Sequence, residues 1–542
     1  MKDLSGEGLA SPQEGGAYRA GSQVGDAVRA TSRELVRRVG SLARAESVSV
    51  VLILLVGIAV RLWGINSFGF NTDEAVYAGQ AAAIAQDPDL KEIFPIFRAH
   101  PLLVQLLLAV TFTFGVNDLL ARVAAVAVGI ATIFLVYRIA SLLYGVRAGL
   151  IGALIIALMP YHVVVTRQVL LDGPMALITT LTLYLLVKFG LTQRAVWLYA
   201  AGASTGLAFL AKETSIILIS AIYAFLALSP ELRVRIRDLA ISAAAMVLVI
   251  APFPLSLLLA GGGGTERTQQ YLVWQLLRRS NHEWDFYPSV VPPAIGLAVI
   301  ALAIVGIVAW RSTIGWPEKL LIAWIVLPTV FFQLWPVKGF QYLIATAPPI
   351  AVLAARALAL WAPRWVELFG RTLRIDWLRP AAIGLIAFSL FLPTWSRVQG
   401  ATSDEFLAGT GGVPGGREAG LWLRENTPEG ATLMTIGPSM ANILQFYGHR
   451  RAYGLSVSPD PLHRNPAYDP LKNPDLLIRS NDLQYAVWDS FSAARSEFFS
   501  DGLMQLVRRY HGRAIHTETA RVRAEDGSLN ERPVIVIYEV RP

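Results

Sequence analysis

The strongest constraint on this chain is a series of windows of 17–22 residues that carry no charge, such as 148–165 and 239–260. A helix at the surface of a soluble protein keeps one polar face. These windows keep none, so each reads as a membrane span. Composition agrees: 54% of the 542 residues are hydrophobic and 16% are charged, too apolar for a soluble protein of this length.

Hydropathy predicts eleven spanning helices, near 47–65, 121–140, 148–165, 172–188, 195–211, 214–229, 239–260, 289–310, 319–335, 341–360 and 380–396. The stretch PLLVQLLLAVTFTFG at 101–115 holds about 14 apolar residues, short for a span. Loop charge decides its status. If it lies on the surface or re-enters, the basic loops all fall on one side: Arg138/Arg147, Lys188/Arg194, Arg233/Arg235/Arg237, Arg311/Lys319 and Arg364/Arg371/Arg374/Arg379. The basic residues before the first span (Arg33, Arg37, Arg38, Arg44) join them. The positive-inside rule then places the N-terminus in the cytoplasm of a multi-pass cell-membrane protein.

Three regions follow. Residues 1–46 form a cytoplasmic segment, largely disordered, because its Gly, Ser and polar residues cannot build a core. It lacks the features of a cleaved signal peptide, so the first span reads as an uncleaved anchor. Residues 47–396 form the membrane domain. Residues 397–542 contain no span and alternate strands (431–437, 485–489, 533–540) with helices (439–448, 496–512), which predicts an extracytoplasmic α/β domain. The net charge of +8 resides in short loops between spans, so it points to topology and not to nucleic acid. With no cysteine, the chain has no disulfide, thiol nucleophile or thiolate metal site.

This topology gathers the unusual polar residues on the outer face. Asp73 and Glu74 follow the first span in SFGFNTDEAVYAGQAAA. His100 precedes the short apolar stretch and Arg122 opens the second span. Arg167 and Asp172 lie between the third and fourth spans, Lys212 and Glu213 between the fifth and sixth. Arg278, Arg279, His282, Glu283 and Asp285 lie in the loop 261–288, and Lys338 and Tyr342 near the tenth span. Each has a plain alternative. Arg61, Arg122 and Lys212 can snorkel to head groups, Asp172 can cap a helix through Gly173–Pro174, and Glu74 suits a helix first turn. Together, cations and carboxylates on one aqueous face suit a phosphorylated lipid beside a general base. In a sugar–phosphate-lipid donor the leaving group is an anionic phosphate. Lys and Arg would stabilise it as the glycosidic bond breaks, while a carboxylate takes the proton of an attacking hydroxyl. There is no glycine-rich phosphate loop; GGGG at 261–264 reads as a hinge.

At these residues the chain resembles the GT-C superfamily of polyprenyl-phosphate-sugar glycosyltransferases. Within it, the likeness is to the branch of protein O-mannosyltransferases and the aminoarabinose transferase of lipid A. The segments that carry the resemblance, in order, are NTDEAVYAGQAAAIA, AHPLLVQLLLAVTFTFGVNDLLARVAAV, VTRQVLLDGPMALITTL, GLAFLAKETSIILI and WPVKGFQYLIATAPPIAVLAA, spanning about residues 47–360. The resemblance implies that Asp73 activates the acceptor. It implies that Arg122, Arg167, Lys212, Lys338 and Tyr342 contact the donor phosphate or shape its pocket. The sequence departs from the family pattern at Leu102, where a second proline is expected, and at Gln341, where an arginine is expected.

The implied partners are a polyprenyl-phosphate sugar donor and a protein, lipid or glycan acceptor in the membrane, with no nucleic acid. No particular cofactor follows from the sequence. A divalent metal is allowed for by His282, Glu283 and Asp285 with His100 or Asp73, although these loop residues also suit a solvated surface. The rival reading is a lipid or glycolipid transporter or flippase, which would show internal repeats and mid-depth charges. No repeat is seen here.

Overall fold

The computed structural model describes residues 44–94, 100–259, 269–271, 273–275, 277–278, 280–361, 365–368, 371–374, 376–399, 413–460, 463–523 and 528–542. Residues 53–542 pack as one unit. Before them, only residues 44–52 are described, as the opening turns of the first helix. The segment expected to be disordered therefore lies almost wholly outside the described residues, as do Gly261–Gly264 and Arg279.

Among the described residues, seven helices are long and apolar enough to cross a bilayer: Arg44–Leu62, Asp118–Tyr144, Asp172–Thr192, Ile236–Leu259, Trp316–Leu334, Phe340–Leu360 and Leu378–Val398. Only 6% of the apolar window of Ile236–Leu259 is buried within the protein, so lipid is the medium that fits its surface. The other four expected spans are present as shorter or broken helices. Val146–Leu158 stops at Met159, and Pro160 opens a separate helix, Pro160–Val165. Ala195–Ala211 and the following helical turn are separated by an extended Lys212. Phe286–Ile295 and Leu297–Val308 bend by 87° at Gly296, whose φ of +99° suits glycine. By length the count is seven, or eight with the bent pair as one span, against the eleven expected from hydropathy. Hydropathy registers apolar content and is blind to these breaks. Leu103–Phe112 has ten residues, about 15 Å of helix, half of what a hydrocarbon core requires.

Arg61 does not snorkel. It is fully buried and donates to the Gly57 and Ala157 carbonyls, to Thr166 Oγ1 and to His162 Nδ1. The carbonyl left free by the break before Pro160 is thereby satisfied, as the cost of an unpaired buried group demands.

The C-terminal region is an α/β fold as expected, with two strands that hydropathy passed over. We number the strands β1 (Trp365–Leu368), β2 (Arg371–Arg374), β3 (Thr432–Thr435), β4 (Arg451–Gly454), β5 (Tyr485–Asp489), β6 (Arg513–Arg523) and β7 (Leu529–Glu539). β1 and β2 form a hairpin within what reads in sequence as a basic loop. The five-stranded sheet runs β4-β3-β5-β7-β6, with β3 parallel to β4 and β5 and the rest antiparallel. The missed strands, β4 and β6, are the two edges, where charged and polar residues blunt the apolar signal.

One apolar cluster joins this sheet to the membrane half. Phe70, Ala75, Ala78, Leu90 and Phe112 pack in it with Leu433, Met440, Ile443, Tyr447 and Ile535. A second cluster on the sheet includes Met434, Ile436, Leu503 and Val507.

Close packing of Ala195–Ala211 against Ile236–Ile250 depends on Gly202 and Gly206, spaced as in GxxxG. A Cβ at Gly202 would collide with the Ser242 carbonyl, and one at Gly206 would lie 2.7 Å from the Met246 carbonyl. Gly202→Val should therefore separate the helices and cost about 1–3 kcal/mol or more. Thermal unfolding in detergent measures it; an unchanged melting temperature would contradict this packing.

Candidate active site

The chain leaves the first span, turns through residues 65–70 and starts the helix Thr72–Ile84. Asn71 caps it by accepting from the Glu74 backbone N–H, and Glu74 Oε2 accepts from the Asn71 N–H in return. The same carboxylate is fully buried. It pairs with Arg122 through both oxygens, at 2.9 and 2.7 Å, and accepts from the Val169 N–H. Arg122 spends its other N–H groups on the Ile65, Phe68 and Gly69 carbonyls. All five guanidinium donors are thus in use.

Asp73 lies one step, about 100°, around that helix. With Val76, Tyr77 and Gln80 it forms a stripe spaced as a single helix face, and this face lines a cavity of about 730 Å³. The opposite stripe, including Ala75, Ala78 and Ala82, is in the core. Asp73 is half-buried and, among the described residues, makes no hydrogen bond or ion pair. Burial pushes its carboxyl above the ordinary value, and Lys212 pulls it part of the way back.

Lys212 lines the cavity from the break between two helices. Its ammonium donates to Asp172 Oδ1 at 2.7 Å and sits 4.5 Å from the centre of the Tyr342 ring. Next to it, Glu213 Oε1 pairs with His100 Nδ1 at 3.0 Å, and His100 Nε2 meets the Tyr271 hydroxyl at 2.8 Å. Arg278 also lines the cavity, over the Trp274 ring, and forms no ion pair among the described residues. Phe331, Phe332 and Trp335 make an aromatic flank at the end of Trp316–Leu334.

The remaining wall belongs to the α/β domain, through Asn442, Gln445, β4 and residues 465–469. Asn442 Nδ2 donates to Thr72 Oγ1, beside Asp73, and to the Tyr468 hydroxyl. Around this wall the domain is fastened by Tyr447, which donates to Asp118 and accepts from the Phe70 N–H, and by Arg417, 2.7 Å from Asp118.

Of the residues singled out in the sequence, Asp73, His100, Lys212, Glu213, Arg278, Gln341 and Tyr342 come together around this cavity. The others do not. Glu74 and Arg122 are consumed by each other and by backbone. Asp172 is buried behind Lys212 as its counter-ion rather than capping its helix; Leu171 holds the cap position without a side-chain bond. Arg167 turns to the Trp63 carbonyl. Lys338 lies at the same end as Lys212, four residues before Tyr342, but its ammonium sits 5.7 Å from the centre of the Trp284 ring, off the cavity wall. His282, Glu283 and Asp285 are exposed, with His282 stacked on Phe286. Among the described residues no group of three or more His, Asp or Glu side chains is placed to hold a metal. Short loops scatter these three outward, which sequence proximity does not reveal. Tyr77, Tyr271, Asn442 and Tyr468 went unnoticed. Tyr77 was findable at i+4 from Asp73; nothing in the sequence marks the other three.

Residues 99–257 match the family described as dolichyl-phosphate-mannose-protein mannosyltransferase. No curated protein matches the sequence. Solved structures share the fold. Apo ArnT from Cupriavidus metallidurans aligns with a TM-score of 0.67 over 91% of this chain and 98% of its own, at 15% identity. The same protein bound to undecaprenyl phosphate gives 0.65 over 90% and 97%, at 16% identity. The Archaeoglobus fulgidus oligosaccharyltransferase tethered with an acceptor peptide gives 0.53 over 90% and 74%, at 14% identity.

Glu74→Gln should leave the Arg122 charge buried without a counter-charge and cost about 3–5 kcal/mol. A melting temperature within a degree of wild type would show that the pair does not hold the loop.

Proposed function

We propose that the chain is a member of the GT-C superfamily of polyprenyl-phosphate-sugar glycosyltransferases and that it moves a sugar from a polyprenyl-phosphate donor to an acceptor hydroxyl on the extracytoplasmic face, with Asp73 as general base; the family match over residues 99–257 and the shared fold support this reading. The observation that carries this reading is the cavity itself. An unpaired, half-buried carboxylate and the cations Lys212 and Arg278 line one space with an aromatic flank toward the membrane helices.

In this mechanism the lipid lies along Phe331, Phe332 and Trp335, and its phosphate meets Lys212 and Arg278. The acceptor oxygen attacks the anomeric carbon as Asp73 takes its proton. The bond from that carbon to the phosphate oxygen breaks, and the electron pair leaves with the phosphate, whose growing charge the cations stabilise. Arg122 has no N–H left for this task, and Arg167 and Lys338 face elsewhere, so the phosphate is assigned to fewer cations than the sequence alone suggests. Lys212 is held by Asp172 before any donor arrives. It therefore needs no rearrangement to act as a fixed positive end.

The outward orientation of the cavity and of residues 413–542 is part of the proposal. The excess of basic residues in loops at the other end, among them Arg233, Arg235, Arg237 and Lys319, supports it.

Asp73→Asn keeps the shape but cannot take a proton, and should lower single-turnover transfer by about 10²–10⁴-fold while the protein keeps its melting temperature. The assay follows loss of label from polyprenyl-phosphate sugars in membranes of the source cell, which supply the acceptor. The working form is the carboxylate, so the wild-type rate should fall as pH drops through a pKa above the ordinary carboxylate value of about 4. That limb should vanish in Asp73→Asn. A variant that keeps most of its rate would remove Asp73 from the role of base.

A further inference from the structure

Among the described residues, the buried side-chain atoms that lack a hydrogen-bond partner include two on the cavity wall: Glu213 Oε2 and Gln341 Oε1. Glu213 keeps a partner through its other oxygen. Gln341 is 7% exposed, and neither its oxygen nor its nitrogen bonds to any described residue. A buried amide oxygen without a partner is costly, and such groups in native folds call for a cause. Nothing local supplies one. Gln341 sits in the 3₁₀ segment Phe340–Thr346, where an apolar residue would serve the packing as well. The next residue, Tyr342, carries Lys212 against its ring.

We propose that Gln341 is a specificity-determining residue that hydrogen-bonds a hydroxyl of the transferred sugar. This rests on the reading of the cavity as a glycosyltransferase site. The ligand class follows from the chemistry of the side chain. An amide is uncharged and presents an acceptor and a donor together, which matches a sugar hydroxyl that both gives and takes a hydrogen bond. It is a poor match for a phosphate, which can only accept, and the cations for the phosphate stand elsewhere on the wall. A buried amide that relies on that hydroxyl for its hydrogen bond rejects a sugar that lacks it.

The test uses Gln341→Met, similar in length and without polar atoms, with Asp73→Asn as the reference for the chemistry. Two probes are compared: polyprenyl phosphate alone and the polyprenyl-phosphate hexose or pentose that wild type consumes. Gln341→Met should reduce transfer about tenfold or more and weaken binding of the sugar-bearing lipid. Binding of polyprenyl phosphate alone should stay within about twofold of wild type. The melting temperature of the ligand-free variant should be equal or higher, because an unpaired buried amide has been removed. Deoxy analogues of the sugar locate the hydroxyl: one of them should be used poorly by wild type and no worse by Gln341→Met than the parent sugar is. Unchanged transfer, an equal loss of affinity for both lipids, or a fall in melting temperature together with activity would each overturn the proposal. If wild type consumes no polyprenyl-phosphate sugar, or consumes it independently of Asp73, the glycosyltransferase reading itself fails, a result distinguishable from the others.

Discussion

The pair between Glu74 and Arg122 holds the molecule's working end together. One guanidinium gathers three carbonyls of the turn 65–70 and a carboxylate, and that carboxylate in turn caps its own helix and holds the Val169 N–H. Both charges are buried, so their value lies less in net stability than in geometry, because few other arrangements satisfy them. The first span, the helix bearing Asp73, the second span and the segment after Pro160 are fixed relative to one another by this one contact. The cavity exists because these elements meet at set angles.

Other buried charges are paired as well: Lys212 lies against Asp172, and Arg356 lies against Glu318 among apolar helices. Arg61 has no acid and uses the Gly57 carbonyl of its own helix and the Ala157 carbonyl freed by a helix break. Asp73 and Gln341 sit on the same cavity, and both lack partners within the described chain. Unpaired buried atoms occur elsewhere too, among them Gln105 Oε1 and Asp489 Oδ2; what sets these two groups apart is that a ligand in the cavity could reach both.

Much of this was legible in the sequence, for identifiable reasons. Charge-free windows found the membrane helices, because lipid demands apolar side chains all round. Loop charge exposed Leu103–Phe112 as too short to cross. Asp73, Lys212 and Tyr342 stood out because ionisable and phenolic groups beside spans are rare. The failures have equally physical causes. Glu74 stood as a second catalytic candidate after Asp73, since the partner that neutralises it is 48 residues away. Arg61 looked like a snorkelling residue because the carbonyls it satisfies arise from a break in another helix. Helix lengths were overestimated where Met159 and Gly296 interrupt apolar runs. The α/β wall of the cavity was invisible, for Asn442 in SMANILQFYG resembles any surface amide until the fold sets it above Thr72.

That wall has a consequence for how the protein is made. Asn442 reaches Thr72 across 370 residues, and Tyr447 reaches Phe70 across 377. The helix carrying Asp73 leaves the ribosome early, yet the surfaces that cover its apolar stripe are among the last to be synthesised. Until then Phe70 and Ala78 lack the neighbours that shield them in the finished fold. Non-local closure of this kind is slow, because a long loop must be ordered before its contacts form. A chain that stalls before residue 438 would insert its membrane helices and still leave the helix bearing Asp73 with its apolar stripe uncovered. Completion of the α/β domain thus shields a helix made near the start, and the intermediate before it is where a chaperone at the membrane face would have its longest opportunity to engage.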